Sequence, residues 1–330
     1  ITEQMITQPS MKTPRIASID QVRGYAIFGM ILVNFLGHFD AMPWTLKHHH
    51  YGFSYADSIA PLFIFIVGLA FRMSFLRRAA ASDVSAARRA AVRRYAILIG
   101  LGLIYGGFHL RAGVWDALMD IGCAGMLTVP LIDRPAGVRI VAAAFFLSVY
   151  QLIFTQTAYG QWVVHNSIDG GPLGPLSWVF IFLMGTLAHD LMASEPSRRF
   201  FMRCCSLGIL LAIVGWTLRL EWPGIKAAWP FTQYGMSAPY PIAAAGLCFL
   251  TLAGFHALCD MARVQLPHLT VLGRNPLVLY LLQAITTRIS GAVLPSALPA
   301  PYALCGFAAT YALCYGAAWF LHRKGLLIKI

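Results

Sequence analysis

The sequence predicts an all-α fold, a polytopic bundle of transmembrane helices. Of its 330 residues, 58% are hydrophobic and 12% are charged, whereas soluble domains carry about 25% charged residues. Apolar runs of roughly 17–25 residues recur along the chain, the length that crosses about 30 Å of hydrocarbon. These runs lack the dyad alternation of a barrel, and a helix bonds its own backbone in lipid. The lipid bilayer is therefore the first predicted partner.

About ten spans are predicted within one integral-membrane domain that covers residues 1–330. They lie at residues 21–39, 57–76, 94–110, 115–132, 138–155, 174–191, 203–218, 238–260, 271–291 and 302–321. A short polar segment, residues 1–19, precedes the first span. We see no internal repeat of the kind that marks inverted-repeat transporters.

The basic residues predict how the bundle is oriented. The net charge is +12, but the arginines lie in short loops between spans, so nucleic acid is not a predicted partner. Clusters such as Arg77, Arg78, Arg88 and Arg89 all fall on one side of the predicted bundle. The positive-inside rule makes this side cytoplasmic and predicts an N-in, C-in topology. We expect a bacterial inner membrane protein whose first loop faces the periplasm.

That first outer loop contains three adjacent histidines, His48, His49 and His50. Histidine is suited to proton transfer at neutral pH and is also a common metal ligand. Adjacent histidines point in different directions, and the seven cysteines form no CxxC pair, so no metal site is predicted. The alternatives that stay open are an exposed polar loop and a catalytic centre.

Two polar residues beside this loop favour the catalytic interpretation. Ser54 and Asp57 have the spacing of a capping box at the start of span two, yet Asp57 is also placed to orient a histidine. Asn34 lies inside span one, where an unbonded amide is costly. It either bonds a neighbouring helix or donates to a developing oxyanion.

Asp116 and Asp120 are four residues apart and therefore share one face of a helix near the outer end of span four. Carboxylates at this position must face protein or water rather than lipid. Contact with a sugar acceptor is one interpretation. A proton relay is the other, and it makes a proton-coupled transporter or exporter the alternative function.

Four residues at the predicted cytoplasmic rim are candidates for binding an anionic cosubstrate. Arg23 and Arg72 lie at the ends of apolar runs, and Arg274 and Asn275 open span nine. A guanidinium suits phosphate in both charge and geometry. The positive-inside rule explains most other arginines without a binding role.

The opening of the chain resembles the heparan-alpha-glucosaminide N-acetyltransferase family. Residues 15–24 read Arg-Ile-Ala-Ser-Ile-Asp-Gln-Val-Arg-Gly, residues 30–34 read Met-Ile-Leu-Val-Asn, and residues 55–68 read Tyr-Ala-Asp-Ser-Ile-Ala-Pro-Leu-Phe-Ile-Phe-Ile-Val-Gly. Residues 272–283, from Leu272 to Gln283, are similar to the family's penultimate-helix motif. The middle of the chain matches the family in hydropathy alone.

The resemblance implies a multi-pass enzyme that takes acetyl-CoA from the cytosol and acetylates an amino sugar on the far side of the membrane. By spacing, the family's active histidine carries over best to His48, with His49 or His50 as the alternative, because the loop is one residue shorter before Gly52 than the family's pattern. Asn34 and Asp57 match the family's active-site Asn and Asp. At Gln283 the animal enzymes have a histidine. We therefore expect His48 to act as general base or as acetylated nucleophile, with Asp57 orienting it and Asn34 binding the thioester carbonyl.

The remaining expectations concern the substrates and partners. Acetyl-CoA is the expected cosubstrate, without a metal, and an amino sugar or glycan is the expected acceptor. N- or O-acetylation and a homodimer both stay open. The expected acetyl-CoA contacts are Arg23, Arg72, Arg274 and Asn275. The expected acceptor contacts are His49, His50, Asp116, Asp120 and Gln283.

Overall fold

The computed structural model describes residues 16–108, 110, 115–220 and 229–328, and these form an all-α bundle. The predicted fold class is confirmed. Residues 1–15 of the predicted cytoplasmic segment lie outside the described part. The helices are α1 (Ala17–Leu36), α2 (Ala56–Ala81), α3 (Val84–Tyr105), α4 (Ala117–Thr128), α5 (Ala136–Gln156), α6 (Tyr159–Asn166), α7 (Gly174–Ser194), α8 (Ser197–Thr217), α9 (Pro239–Phe255), α10 (Pro267–Gly273), α11 (Pro276–Val293) and α12 (Ala300–Arg323).

Eight helices in the described ranges are long and apolar enough to cross a membrane, rather than ten. They are α1, α2, α5, α7, α8, α9 with its π-helical extension His256–Met261, α11 and α12. The predicted spans 94–110 and 115–132 fall on α3 and α4. The first half of α3 carries Arg88, Arg89, Arg93 and Arg94, and α4 has only 12 residues, about 18 Å of helix. These two helices are antiparallel neighbours, and α4 packs in turn on α7.

The beginning and the end of the described chain lie on one side of the bundle. Arg23, in the second turn of α1, donates to the backbone oxygen of Gly273 at 3.3 Å. Asn275, at the start of α11, accepts from the backbone nitrogen of Ile328 at 3.0 Å. The two ends of the described chain thus meet at the same α10–α11 junction. A chain that crosses the membrane an even number of times must begin and end on the same side. That this side faces the cytoplasm is still a prediction from the arginine distribution.

Helices α2 and α7 cross with their backbones in close contact, and two glycines make this possible. A Cβ on Gly68 would lie 2.1 Å from the backbone oxygen of Phe182, and a Cβ on Gly185 would lie 2.0 Å from that of Phe65. Small residues at such crossings let membrane helices approach closely. Because α2 begins one residue before Asp57, this crossing holds the start of α2 in place.

Candidate active site

The loop after α1 brings His48 into contact with Asp57 at the start of α2. The Nδ1 atom of His48 lies 2.8 Å from Oδ1 of Asp57, whose side chain is fully buried. The other carboxylate oxygen, Oδ2, accepts from the backbone N–H of Ser54 at 2.7 Å. The hydroxyl of Ser54 donates to the backbone oxygen of Lys47 instead of capping the helix. Asp57 therefore makes one half of a capping box and also holds His48.

The main chain at Asp57 is held by a residue from a different helix. The backbone oxygen of Asp57 would normally accept from the N–H four residues on, but that residue is Pro61, which has none. The hydroxyl of Tyr240, at the start of α9, donates to this oxygen at 2.8 Å, and Tyr240 is fully buried. A buried carbonyl left unpaired would cost about 1–3 kcal/mol, so Tyr240 stabilises the first turn of α2.

The neighbours of His48 determine which of its ring nitrogens carries the proton. Nδ1 faces Asp57 and also lies 3.1 Å from Oε1 of Gln233. An ionised carboxylate only accepts hydrogen bonds, so Nδ1 is the protonated nitrogen of the neutral ring. The lone pair is then on Nε2. The side chain of His48 is 34% exposed, and it lines a cavity.

The same neighbours set the pKa of His48. Burial of the ring lowers the pKa, but the hydrogen bond and charge of Asp57 raise it, with smaller contributions from the charge of Asp169 and the hydrogen bond to Gln233. The net effect is a pKa above the ordinary value of 6.5. His48 therefore takes up a proton more readily than a free histidine does.

The cavity next to His48 has a volume of about 560 Å³, within the usual range for small-molecule sites. It lies between α1, α2, the start of α4 and α11. Asn34 is exposed to it although it lies within α1, and its Nδ2 donates to Oε1 of Gln283 at 3.2 Å. The structure thus brings Asn34, His48 and Gln283 to one cavity, and Asp57 lies directly behind His48.

The other two histidines of the triplet point elsewhere. His49 stacks on Trp44 with 4.6 Å between ring centres, and its Nε2 lies 3.0 Å from the backbone oxygen of Trp44. His50 lies 3.1 Å from the backbone oxygen of Val164 and 4.3 Å from the Tyr234 ring. Neither is among the described residues that line the cavity. Within the triplet, His48 is the one that contacts Asp57.

Of the predicted pair, Asp116 lies at the cavity and Asp120 lies in the protein interior. Asp116 lines the cavity and caps α4, because its Oδ1 accepts from the backbone N–H of Leu118 at 3.0 Å. Its Oδ2 accepts from the hydroxyl of Tyr280 at 3.4 Å. Asp120 is fully buried, and neither of its carboxylate oxygens has a hydrogen-bond partner among the described atoms. The two side chains thus occupy different environments despite sharing a helix face.

Of the predicted acetyl-CoA contacts, three lie at the α1–α10–α11 junction. Arg23 pairs with Asp20 at 3.2 Å, and Asn275 donates to the backbone oxygen of Leu326 at 3.1 Å. Arg274 follows α10 directly, and its Nε is buried. Arg23 and Asn275 connect this junction to the two ends of the described chain, and none of the three residues lines the described cavity.

Arg72 belongs to a different cluster. Its Nε donates to Asp190 Oδ1 at 2.9 Å, and its Nη1 donates to the backbone oxygen of Ile132. Arg139, which is fully buried, bonds the other carboxylate oxygen of Asp190 and the hydroxyl of Thr186. The two guanidiniums hold the Asp190 carboxylate between α2, α5 and α7. The structure does not bring Arg72 together with the other three predicted contacts.

Three residues around His48 were not predicted as site residues from the sequence: Asp169, Gln233 and Tyr240. Oδ1 of Asp169 accepts from Nε2 of Gln233 at 2.9 Å, across 64 residues of chain. In the sequence, Asp169 is followed by two glycines, and Gln233 lies in a separate polar loop. These features indicate turns, but they do not indicate that the two side chains are in contact. The glycine pair was the one available signal, since it marks a backbone that needs positive φ.

The fold and this site define a class: a polytopic helical membrane protein with a histidine–carboxylate pair beside a polar cavity. Residues 15–220 match the family described as heparan-alpha-glucosaminide N-acetyltransferase, catalytic. The match covers more than half of the chain, and the chain therefore belongs to this family of membrane acyltransferases, which in general use acetyl-CoA as donor. No curated protein matches the chain. The matched range includes Asn34, His48, Asp57 and Asp169, and it ends before Gln233 and Gln283.

Proposed function

We propose that this protein transfers an acetyl group from acetyl-CoA to an amino sugar or another glycan acceptor, with His48 at the reacting centre. The observation that carries the proposal is the 2.8 Å contact between His48 Nδ1 and Asp57. This contact leaves Nε2 as the basic nitrogen of the His48 ring. The ring lines a cavity that has room for a thioester and an acceptor group. A base whose partner fixes its tautomer is the arrangement that acyl transfer requires.

In the direct route His48 acts as general base. Nε2 takes the proton from the acceptor amine or hydroxyl while that nitrogen or oxygen attacks the thioester carbonyl carbon. The carbon–sulfur bond breaks, and the CoA thiolate leaves and takes up the proton from Nε2. The negative charge of Asp57 stabilises the imidazolium that forms in between. An N–H of Asn34 donates to the carbonyl oxygen as negative charge develops on it.

In the covalent route His48 acts as nucleophile. Nε2 attacks the thioester carbon and forms an acetyl–histidine bond, while the carbon–sulfur bond breaks and the CoA thiolate leaves. The acceptor then attacks the same carbon, the carbon–nitrogen bond to the ring breaks, and the acceptor's proton passes to the released Nε2. The two routes differ when acetyl-CoA is supplied without acceptor. The covalent route releases up to one CoA per protein in a rapid burst, and the direct route releases none.

The proposed acetyl-CoA enters from the cytoplasmic side, with its phosphates bound by Arg23, Arg274 and Asn275 at the α1–α10–α11 junction. The support for this is the charge of the two arginines and their position on the side opposite to His48. Arg72 is also proposed as a phosphate contact, although a phosphate there must compete with Asp190 for the guanidinium.

The proposed acceptor enters from the periplasm and contacts Asp116 and Gln283. The sequence also predicts His49, His50 and Asp120 as acceptor contacts, but these three do not line the described cavity.

Proton-coupled transport is the alternative, and it rests on Asp116 and Asp120. Of these two, Asp116 lines the described cavity, while Asp120 is enclosed in protein. The geometry therefore offers an entering solute one carboxylate of this pair rather than both. Family membership also favours acyl transfer.

Purified protein in detergent or proteoliposomes, mixed with radiolabelled acetyl-CoA and glucosamine, tests the proposal. We expect acetylated glucosamine and stoichiometric CoA, and a rise in the midpoint of thermal unfolding with acetyl-CoA, because a ligand of the native state stabilises it. Glucosamine uptake driven by a proton gradient, with neither acetyl transfer nor stabilisation by acetyl-CoA, would overturn the proposal.

A further inference from the structure

The turn that carries Asp169 is held in an unusual backbone conformation. Asp169 has φ of 54°, followed by 84° at Gly170 and 58° at Gly171. A side-chain-bearing residue with positive φ costs free energy and persists when its surroundings fix it. Here the indole of Trp178, itself 1% exposed, donates to the backbone oxygen of Asp169 at 3.0 Å. The hydroxyl of Tyr159 donates to the oxygen of Gly170 at 2.6 Å.

The turn that carries Gln233 is fixed in the same manner. Met236 also has a positive φ, 47°, and its backbone oxygen accepts from the hydroxyl of Ser177 at 2.9 Å. The hydroxyl of Tyr150, which is fully buried, donates to the oxygen of Gly235 at 2.7 Å. A backbone bond from Gly170 N to Tyr234 O at 3.0 Å joins the two turns. Buried donors therefore hold both loops in one relative position.

This arrangement determines how the amide of Gln233 is oriented. Gln233 bonds Asp169 on one side, at 2.9 Å, and His48 Nδ1 on the other, at 3.1 Å. Because an ionised carboxylate accepts and does not donate, the NH₂ group of Gln233 must face Asp169. Its oxygen then faces the N–H of His48. Gln233 and Asp169 are 6% and 8% exposed, so water competes little for these bonds.

We propose that Gln233 and Asp169 are positioning residues that, with Asp57, hold the His48 ring so that Nε2 faces the cavity. The N–H at Nδ1 then has two acceptors, one from the start of α2 and one from the loop before α9. One acceptor alone leaves the ring free to rotate about the hydrogen bond, and the second restricts that rotation. This inference rests on the proposed function, since it assigns these residues a part in the reaction at His48.

Both residues also line the cavity, so direct contact with the acceptor is the competing role. The two roles differ in kinetics: loss of a positioning residue lowers kcat, while loss of a uniform substrate contact raises KM. The Asp169 charge also raises the pKa of His48, but it does so in either role, so the kinetics decide between them. The other charged groups around the cavity, His38, Lys47, Asp116 and Arg288, and its tyrosines are unchanged in the test.

The test compares Gln233→Leu and Asp169→Asn with the wild type, using radiolabelled acetyl-CoA and glucosamine as the acceptor probe. Gln233→Leu removes the second acceptor, and we expect kcat to fall roughly 10- to 100-fold with KM unchanged. Asp169→Asn keeps an oxygen for Gln233 but removes the charge. We expect it to keep more activity and to move the acid limb of the pH–rate profile to lower pH.

Asp40→Asn is the matched control, because it removes an exposed carboxylate on the same side of the bundle. Its rates and pH profile should equal those of the wild type. Thermal unfolding in detergent shows whether each variant folds, and if Gln233→Leu does not, the changes of kcat and KM in Asp169→Asn decide.

A raised KM with unchanged kcat in Gln233→Leu or in Asp169→Asn would overturn the positioning role. Such a result leaves the proposed function intact as long as the wild type transfers acetyl and His48→Ala does not. A wild type that transfers no acetyl would instead contradict the proposed function.

Discussion

At the scale of single residues, Asp57 combines two roles that the sequence alone left as alternatives. One carboxylate oxygen bonds the backbone of Ser54 and the other bonds His48. The capping role fixes the position of the carboxylate, and that position determines which nitrogen of His48 is free. A helix end thus serves as the support of the proposed base.

Replacement of Asp57 by Asn tests this pairing. An Asn side chain has one oxygen, which cannot serve both Ser54 and His48, and it lacks the charge that raises the pKa of His48. We expect kcat/KM to fall by roughly 10²–10⁴-fold. The measurement is acetyl transfer to glucosamine by Asp57→Asn and by Asp40→Asn, and equal loss in both variants would contradict the account.

The pH dependence of the wild type follows from the same contacts. His48 works as the free base, so activity is lost when the pH falls through the pKa of the folded protein. Because that pKa is raised above 6.5, the acid limb of kcat/KM should lie above pH 6.5. In Asp57→Asn the acid limb of kcat/KM should move to lower pH. If this limb has the same position in Asp57→Asn as in the wild type, a group other than His48 titrates.

The residues predicted from the sequence were those with a local signal. Asn34 stood out as an amide in an apolar run, and Asp57 as a carboxylate after the histidines. Gln233 had no such signal, and Asp169 had only the glycine pair that follows it, because the importance of both comes from one hydrogen bond across 64 residues. Tyr240 is similar, since its bond to Asp57 joins helices 183 residues apart in the chain.

At the scale of helices, hydropathy located most spans but not their contacts. It placed a span on α3, whose arginines shorten the apolar part, and on α4, which ends after 12 residues. It also did not show that glycines in α2 and α7 face each other. A glycine in an apolar run reads the same whether it faces lipid or another backbone.

The α2–α7 crossing should tolerate no added side chain. In Gly68→Ala the new Cβ would meet the backbone oxygen of Phe182, so the helices must separate, at a cost of about 1–3 kcal/mol. We expect a lower midpoint of thermal unfolding in detergent and reduced acetyl transfer, because α2 carries Asp57. Gly100→Ala is the control, since a Cβ at Gly100 meets no atom within 4 Å, and equal midpoints for the two variants would refute the close crossing.

At the scale of the whole molecule, the bundle separates two polar regions. The His48 cavity lies at one end, and the junction of α10 and α11 with both ends of the described chain lies at the other. The sequence predicted this separation because positive-inside loops and the histidine loop alternate along the chain. It did not predict that Arg72 and Arg139 would both bind Asp190, because an ion pair between distant helices leaves no pattern in the sequence of either helix.

The predicted topology places Asp40 in the periplasm and Ser82, in the α2–α3 turn, in the cytoplasm. Both are exposed, so we expect an impermeant thiol reagent to label Asp40→Cys in intact cells and Ser82→Cys only after the membrane is broken. Labelling of the parent protein gives the background from its native cysteines, including the exposed Cys305. The reverse pattern would contradict the N-in, C-in orientation.

In the proposed reaction, His48 performs the acetyl transfer, and neither His49 nor His50 does. The most direct measurement is kcat for transfer from acetyl-CoA to glucosamine by His48→Ala, His49→Ala and His50→Ala, each shown to be folded by its thermal unfolding midpoint. We expect His48→Ala to lose roughly 10²–10⁴-fold in kcat and the other two variants to stay close to the wild type. Full activity in His48→Ala, with loss in His49→Ala or His50→Ala, would contradict the account.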